Sequence, residues 1–264
     1  MLELTGKSMG IFYKIKRNIE KGIQNLLGTH PRFNPQYSAD GFAVYGKNIS
    51  FMAVDKFEKA WSEVRHFNKN YWNSVPDVRW RAHTCVWAAQ NGLRLDGNFV
   101  ELGVNTGLLS SMIVKCLDFH KHPDRTLFLF DTFTGIPGDG ISAHEKANIA
   151  RLNAAHFQTD VYEVAQQAFA GIANKRLVKG RLPQSLEGIE TGPIAYLSID
   201  LNSAAAEIGS IEVLWPRLVP GAIIVLDDYA FEGHEEQYSE WNRFAHRHDR
   251  SILSLPTGQG LIIK

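Results

Sequence analysis

Residues 99–111 read FVELGVNTGLLSS, in which an apolar run ends in an acid and two glycines lead into a second apolar stretch. This pattern is typical of a strand that passes to a helix around a bound nucleotide. The two glycines are spaced G-x-x-x-G, which differs from the G-x-G-x-x-G of a pyrophosphate-binding turn, and no Walker lysine follows. Glu101 lies two residues before Gly103, the first of them. An anionic Glu101 is poorly suited to a pyrophosphate and well suited to a cationic ligand, contacted directly or through a water.

S-adenosylmethionine meets these constraints, because it carries a sulfonium, an ammonium and a carboxylate but no phosphate. Gly103 and Gly107 would let the backbone approach its methionine part closely. Asp131, which ends the next apolar run, could accept hydrogen bonds from both ribose hydroxyls. Glu101 could instead favour only a helix dipole, and Asp131 could be a turn residue. Their matching positions on consecutive strands favour the cofactor site.

A second group of acids follows two later apolar runs. Asp200 comes after YLSI, and Asp227 and Asp228 come after GAIIVL. Parallel strands bring their carboxyl ends to one edge of a sheet, where three unpaired carboxylates would be costly to bury. Oxygen ligands of this kind suit Mg²⁺ best, with Mn²⁺ or Ca²⁺ as alternatives. A strand-ending turn or the cap of a helix over 234–248 is the alternative interpretation of Asp227 and Asp228.

The elements that would position these residues are short apolar runs, each ending in a polar cluster. Such runs favour parallel strands that are buried on both faces. They alternate with helical patterns at 107–119, 143–173 and 204–215, and 176–179 can supply one more strand. The sequence therefore predicts an α/β, doubly wound sheet. The final residues, SILSLPTGQGLIIK, predict a hairpin whose last strand is antiparallel at or near the sheet edge.

The first part of the chain predicts a helical N-terminal extension over 1–75, ahead of the cofactor-binding domain at 76–264. Apolar residues recur at helical spacing from Phe12 to Leu27 among lysines and an arginine, which indicates a basic amphipathic helix. Such a helix could dock on its own domain, join a second subunit, or lie on an anionic membrane surface. A small hairpin is predicted around 46–48, and helices over 53–72 and 79–91, the second with Gly92 as its C-cap.

Four segments carry a family resemblance. These are 99–104 with Gly107, the D-T-F-T-G-I-P element at 131–137, 179–186, and LVPGAIIVLDDY at 218–229. Together they resemble class I S-adenosylmethionine-dependent methyltransferases, most closely the macrocin O-methyltransferase family, which methylates sugar hydroxyls on macrolide antibiotics. The resemblance implies a seven-stranded Rossmann-like sheet. It also implies cofactor contacts from Glu101, Gly103, Asn105, Thr106, Gly107, Asp131, Gly180, Ser185 and Asp200, and a metal held by Asp200, Asp227 and Asp228.

One departure from the family pattern concerns the fourth strand. The family's D-x-D-L-Y-E-S-T is matched here by SIDLNSAA at 198–205. Asp200 keeps the second Asp, Ser198 stands at the first, and Tyr and Glu are absent. We therefore expect an acceptor pocket that differs from that of the macrolide enzymes.

The predicted reaction is an in-line displacement, in which an acceptor hydroxyl attacks the methyl carbon and the sulfonium leaves as a neutral thioether. Asp200 is the predicted catalytic residue, because its carboxylate could accept the hydroxyl proton beside a metal that lowers the hydroxyl pKa. His144, His156 and His234 are weaker candidates for a base. The long connection over 134–175 is predicted to cover the cofactor or to line the acceptor pocket.

The predicted function is an O-methyltransferase for a hydroxyl of a sugar or other small polyhydroxylated natural product, assisted by Mg²⁺. Alternatives are a methyltransferase of a membrane-associated glycan and a non-catalytic S-adenosylmethionine-binding protein. A sugar-nucleotide oxidoreductase is disfavoured by the glycine spacing. The resemblance also leaves a homo-oligomer open as a partner.

Charge and composition exclude several other classes. The 28 basic and 28 acidic side chains balance, which argues against a broad nucleic-acid surface. The two cysteines give neither a disulfide framework nor a metal spacing. No long apolar run and no signal-peptide pattern is present. We therefore expect a cytoplasmic protein, with peripheral contact at the inner membrane surface left open by the N-terminal helix.

Overall fold

A computed structural model describes residues 35–72, 74–138, 141–156 and 159–264 of the chain. It divides into two units, which meet in the sequence between Phe51 and Met52. In the first unit, strands β1 (Tyr37–Ala39) and β2 (Phe42–Val44) form an antiparallel hairpin. The hairpin turns at Asp40 and Gly41, both with positive φ, as a tight Asp-Gly turn requires. The hairpin predicted around 46–48 is therefore wrong in position.

The second unit alternates strands and helices along the chain. Its helices are α1 (Asp55–Asn68), α2 (Arg79–Gly92), α3 (Leu108–Leu117), α4 (Ala143–His156), α5 (Tyr162–Ala168), α6 (Ala204–Leu214) and α7 (Glu235–Arg247). Its strands are β3 (Asn98–Leu102), β4 (Leu127–Asp131), β5 (Lys175–Lys179), β6 (Ile194–Ile199), β7 (Leu218–Leu226), β8 (Leu253–Ser254) and β9 (Gly260–Ile263).

These seven strands of the described second unit form one sheet in the order β5-β4-β3-β6-β7-β9-β8. The first five are parallel to one another, and β9 runs antiparallel to β7 and β8. The predicted doubly wound sheet with an antiparallel C-terminal strand is confirmed. The strand order reverses between β3 and β6, which places a crevice at their carboxyl ends.

Alternating side chains of the central strands explain why the sheet is buried on both faces. Val100 and Leu102 of β3 pack in one apolar cluster with residues of β6 and β7, whereas Phe99 packs in a second cluster with residues of α2 and α3. Since successive strand residues point to opposite faces, Glu101 belongs to the face of Phe99. Helices on both faces therefore leave the strand ends as the accessible polar edge.

Two helix predictions differ from the structure. The single helix predicted over 143–173 is two helices, α4 and α5. Gly92 was predicted to be a C-cap, but it is the last residue of α2 and Leu93 is the cap. A Cβ on Gly92 would come to 3.0 Å from the carbonyl oxygen of Ala195. The glycine therefore serves the close packing of α2 on the sheet.

The observed division of the chain also falls earlier than the predicted boundary between 75 and 76. Helix α1 packs on α3, and Lys115 of α3 donates to Glu63 of α1 over 2.7 Å, so α1 belongs to the unit that contains the sheet. The predicted basic helix between Phe12 and Leu27 lies outside the described residues, and its roles in docking, oligomerisation or membrane contact stay predictions. None of the helices that the structure describes is both long and apolar enough to cross a membrane.

Candidate functional site

A cleft of about 600 Å³ opens at the carboxyl ends of the central strands. It brings together most residues that the sequence singled out. Those on its wall are Glu101, Gly103, Asn105, Thr106, Asp131, Gly180, Asp200 and Asp228. These residues come from the ends of β3, β4, β5, β6 and β7, as expected for the crevice of a doubly wound sheet.

The loop between β3 and α3 is held in shape by Asp131. One carboxylate oxygen of Asp131 accepts hydrogen bonds from the backbone N–H groups of Val104 at 2.5 Å and Asn105 at 2.7 Å. The other oxygen accepts from the N–H of Phe133 at 2.7 Å. Asp131 therefore braces two loops of the cleft, a role that the sequence prediction of ribose binding did not include.

Gly103 and Gly107 both adopt left-handed backbone conformations, with φ of 86° and 81°. A Cβ on Gly103 would lie 1.8 Å from the carbonyl oxygen of Asp200, and one on Gly107 would lie 2.6 Å from the ring of Phe169. Gly103 thus joins the loop between β3 and α3 to the end of β6. Gly107 packs behind the cleft at the start of α3.

Glu101 is a buried acid at the base of the cleft, with 4% of its surface exposed. Ser110 of α3 donates its hydroxyl to the Glu101 carboxylate. Burial, followed by the charges of Asp200, Asp227 and Asp131, raises the pKa of Glu101 well above its ordinary value. A cationic ligand beside Glu101 would oppose this shift.

The three predicted metal ligands converge. Asp200, Asp227 and Asp228 each offer a carboxylate oxygen, and these oxygens lie within 4.8 Å of one another. Asp200 and Asp228 line the cleft, whereas Asp227 is buried behind them with 1% of its surface exposed. The predicted convergence at one sheet edge is therefore present in the structure.

The electrostatics of this acid cluster, defined as Asp200, Asp227 and Asp228, are unfavourable for three ionised groups. Burial and the charges of Asp228 and Asp227 raise the pKa of Asp200 well above its ordinary value. Burial and the charge of Asp227 raise the pKa of Asp228 to about 7. A positive charge at the cluster would favour the ionised forms.

Residues that the sequence analysis did not single out also contact the acid cluster. Arg81 of α2 forms an ion pair with Asp227, and Gln259 donates its amide to the other Asp227 oxygen over 2.8 Å. Asn202, which has a positive φ of 56°, donates to Asp200 over 3.0 Å. Arg81 lies 146 positions from Asp227 in the sequence. No sequence motif joins the two, so only the tertiary fold reveals the pair.

Trp72 is a second contribution from outside the predicted motifs. Its indole N–H donates to the hydroxyl of Thr106 over 3.2 Å, and that hydroxyl donates to Asn68 of α1 over 2.5 Å. The ring centroids of Trp72 and His156 lie 5.7 Å apart. The segment that follows α1 and the end of α4 therefore meet beside the loop that follows β3.

The remaining predicted residues lie behind the cleft or at its rim. Ser185 has a buried hydroxyl and packs behind Gly180, where an added Cβ would come to 2.7 Å from the Cβ of Ser185. Of the candidate bases, His156 lines the cleft, whereas His144 is exposed beside Glu235. His234 is buried, and its Nδ1 lies 2.6 Å from the side-chain oxygen of Gln237.

The connection between β4 and β5 supplies one wall of the cleft, through residues such as Ile136, Ile141 and Leu152. Its helix α4 is tied to the opposite wall by Glu145, which is 5% exposed. One carboxylate oxygen of Glu145 accepts from the backbone N–H of Ala204 over 2.8 Å, at the first turn of α6. Glu145 therefore caps α6 from a distant segment.

Comparison with solved structures identifies the fold. The chain superposes on the O-methyltransferase NovP with a TM-score of 0.67 and 17% sequence identity, over 81% of this chain and 99% of that one. It superposes on the calicheamicin methyltransferase CalS11 with a TM-score of 0.59 and 16% identity, over 83% of this chain and 97% of that one. At these identities the likeness shows the methyltransferase fold.

Two curated relatives match by sequence over part of the chain. The 8-demethyl-8-(2,3-dimethoxy-alpha-L-rhamnosyl)-tetracenomycin-C 4'-O-methyltransferase of Streptomyces olivaceus is 29% identical over 144 residues, which are 52% of this chain and 54% of that protein. The demethyldecarbamoylnovobiocin O-methyltransferase of Streptomyces niveus is 25% identical over 145 residues, 52% and 55% of the two chains. The chain thus spans about half the length of these relatives.

A family model matches more of the sequence than either curated relative does. The model of the macrocin O-methyltransferase (TylF) family covers residues 82–253, which include the sheet from β3 to β7 and every residue of the acid cluster. The chain therefore belongs to the macrocin O-methyltransferase (TylF) family.

Proposed function

We propose that this protein is an S-adenosylmethionine-dependent O-methyltransferase that methylates a sugar hydroxyl of a natural product with the help of a divalent cation. The observation that carries the proposal is the meeting, in one cleft, of the glycine loop braced by Asp131 and the acid cluster. The relatives support the acceptor class, since one is named for a rhamnosyl-bearing substrate and the other for a novobiocin derivative.

The cleft fits the proposed cofactor. Gly103 brings bare backbone to the cleft, and Glu101 provides an acid beside it for a positive ligand. When bound, S-adenosylmethionine supplies an electrophilic methyl group on a sulfonium. The protein holds that methyl group in line with the acceptor hydroxyl. This positioning accounts for most of the rate acceleration expected of such a site.

The acid cluster fits a divalent cation. Its ligand atoms are all carboxylate oxygens, which hard cations prefer. Burial and mutual repulsion disfavour the ionised carboxylates, and a bound cation would stabilise them. In this proposal Asp200, Asp227 and Asp228 hold the ion, which would lower the pKa of a bound hydroxyl.

Asp200 is the proposed catalytic base. It lines the cleft, where its carboxylate can accept the proton of an acceptor hydroxyl. Asn202 donates to one of its oxygens over 3.0 Å and so fixes its orientation. Small side chains at Ala205 and Ala206 leave room on the same wall for an acceptor.

Methyl transfer tests this function directly. The full chain would be incubated with methyl-labelled S-adenosylmethionine, Mg²⁺, and a panel of deoxyhexose glycosides, free sugars and catechols. We expect label in a sugar hydroxyl, lost with a chelator. Asp200→Asn should lower kcat at least about 100-fold, in the range of a lost general base.

Three other outcomes would contradict parts of the proposal. Transfer to catechols but to no sugar would contradict the acceptor class. Activity that is unchanged by chelation would contradict the metal. Cofactor binding without transfer to any member of the panel would favour a binding protein over an enzyme.

A further inference from the structure

Arg81 is a basic side chain held against the acid cluster by contacts with Asp227 and with the ring of Phe231. Its guanidinium pairs with one oxygen of Asp227, and Gln259 holds the other oxygen over 2.8 Å. The guanidinium carbon lies 5.5 Å from the ring centroid of Phe231, within the range of a cation–π contact. The Arg81 side chain is only 16% exposed, so its charge acts in a poorly hydrated place.

The charges of Arg81 and the acid cluster are unequal. Three ionised carboxylates with one guanidinium leave a net charge of −2, which a single divalent cation would neutralise. Arg81 contacts Asp227, and the carboxylate oxygens of the three acids lie within 4.8 Å of one another, so its charge is close to the whole cluster and not only to Asp227. A cation bound by these three acids would therefore share them with a second positive charge.

We propose that Arg81 is a built-in counter-ion of the acid cluster, which neutralises Asp227 when no metal is bound and weakens the affinity for the metal when one binds. This inference rests on the metal site of the proposed function. Arg81 acts through Asp227, so it is a positioning residue and not a catalytic one. Its charge keeps the metal exchangeable, while Gln259 keeps Asp227 in place whether or not the metal is present.

The experiment measures Mn²⁺ binding, without substrate or cofactor, by the loss of the free-ion electron paramagnetic resonance signal. The proteins are the full-length wild type, Arg81→Gln, which removes the charge, and Arg81→Lys, which keeps it. Arg79→Gln is the matched control, because Arg79 lies two residues away on the same helix and pairs with Asp77. Asp228→Asn reports whether binding occurs at the acid cluster.

We expect Arg81→Gln to bind Mn²⁺ at least about tenfold more tightly than the wild type, because removing a charge within a few ångströms of a poorly hydrated site has an effect of this order. Arg81→Lys and Arg79→Gln should stay within about threefold of the wild type, and Asp228→Asn should lose the binding. Metal-free Arg81→Gln should also melt at a lower temperature, and Mn²⁺ should raise its Tm more than that of the wild type.

Unchanged or weaker Mn²⁺ binding by a folded Arg81→Gln would overturn the inference while leaving the metal site intact. A lack of Mn²⁺ binding by the wild type and by Arg81→Gln would contradict the metal site itself and overturn the inference with it. If Arg81→Gln folds only with Mn²⁺ present, the inference is supported, because the metal then replaces the missing charge. Failure to fold under both conditions would overturn the inference, because Arg81 would then have a packing role that the metal cannot replace.

Discussion

Gly103 shows how one residue serves the cleft in two ways. From the sequence, Gly103 is expected to let the backbone approach a ligand closely. The structure adds a second reason, because a side chain at this position would collide with the carbonyl oxygen of Asp200, 1.8 Å from the added Cβ. The loop between β3 and α3 and the acid cluster are therefore packed against each other through the backbone of Gly103, which has no side chain.

Gly103→Ala should lower stability and abolish cofactor binding. The positive φ and the collision with Asp200 together should cost about 3 kcal/mol or more. A loss of this size corresponds to a fall in Tm of roughly 10 °C for a unit of this length. Thermal unfolding and cofactor titration measure the two effects.

Gly138→Ala is the matched control, since nothing lies within 4 Å of the Cβ that it would add. It should leave the free energy of unfolding within about 0.5 kcal/mol of the wild type. Equal stability of both variants would contradict the packing role assigned to Gly103.

At this scale the sequence predicted the acids of the site but not their partners. Asp200, Asp227 and Asp228 could be predicted to meet because each follows a strand, and parallel strands end at one edge. Arg81 and Gln259 could not, because a helix and the turn of a terminal hairpin reach Asp227 only through the tertiary fold. Local pattern carries no information about such contacts.

Among elements, the segment after α1 is the one whose role the sequence did not anticipate. Trp72 donates to Thr106 in the loop between β3 and α3, and Thr106 donates in turn to Asn68 at the end of α1. The family match begins ten residues after Trp72, at residue 82. This support for the loop therefore comes from outside the matched region.

The Trp72–Thr106 hydrogen bond should contribute to cofactor affinity. Trp72→Phe should weaken S-adenosylmethionine binding by about fivefold, the worth of one hydrogen bond near 1 kcal/mol. Thr106→Val should weaken it more, because the Thr106 hydroxyl also donates to Asn68. The double variant should bind S-adenosylmethionine more weakly than either single variant. Its total loss of affinity should still be smaller than the product of the two single losses, because both substitutions remove the same Trp72–Thr106 bond. Calorimetric titration of the four proteins gives this cycle.

Trp87→Phe provides the control for the cycle, since Trp87 is 46% exposed on α2. Its cofactor affinity should equal that of the wild type. Fully additive losses in Trp72→Phe and Thr106→Val would show that the two side chains act independently, which contradicts support of the loop by this bond.

The sheet was predictable because its strands carry a strong local signal, whereas the connection over 134–175 was not. Buried apolar runs followed by acids mark β3, β4, β6 and β7 without reference to the rest of the fold. Helices α4 and α5 share one continuous helical pattern in the sequence, and only the structure shows their separation. Tertiary contacts such as that of Glu145 with Ala204 then fix α4 against the far wall.

For the whole molecule, the fold and the family follow from the same feature, the polar ends of a doubly wound sheet. The seven strands of the described second unit and the match over 82–253 agree with the sequence prediction of fold and family. The sequence could not give the earlier division at Phe51, because α1 has an ordinary amphipathic pattern and only its packing on α3 assigns it to the larger unit.

The most direct test of the central claim is calorimetric titration of the full chain with S-adenosylmethionine, with and without Mg²⁺, and with NAD as the control ligand. We predict micromolar binding of S-adenosylmethionine without Mg²⁺ and no binding of NAD. Asp131→Ala should weaken the binding at least about tenfold, because the carboxylate that holds the N–H groups of Val104 and Asn105 is lost. Failure of the wild type to bind S-adenosylmethionine, or equal binding of NAD, would contradict the claim.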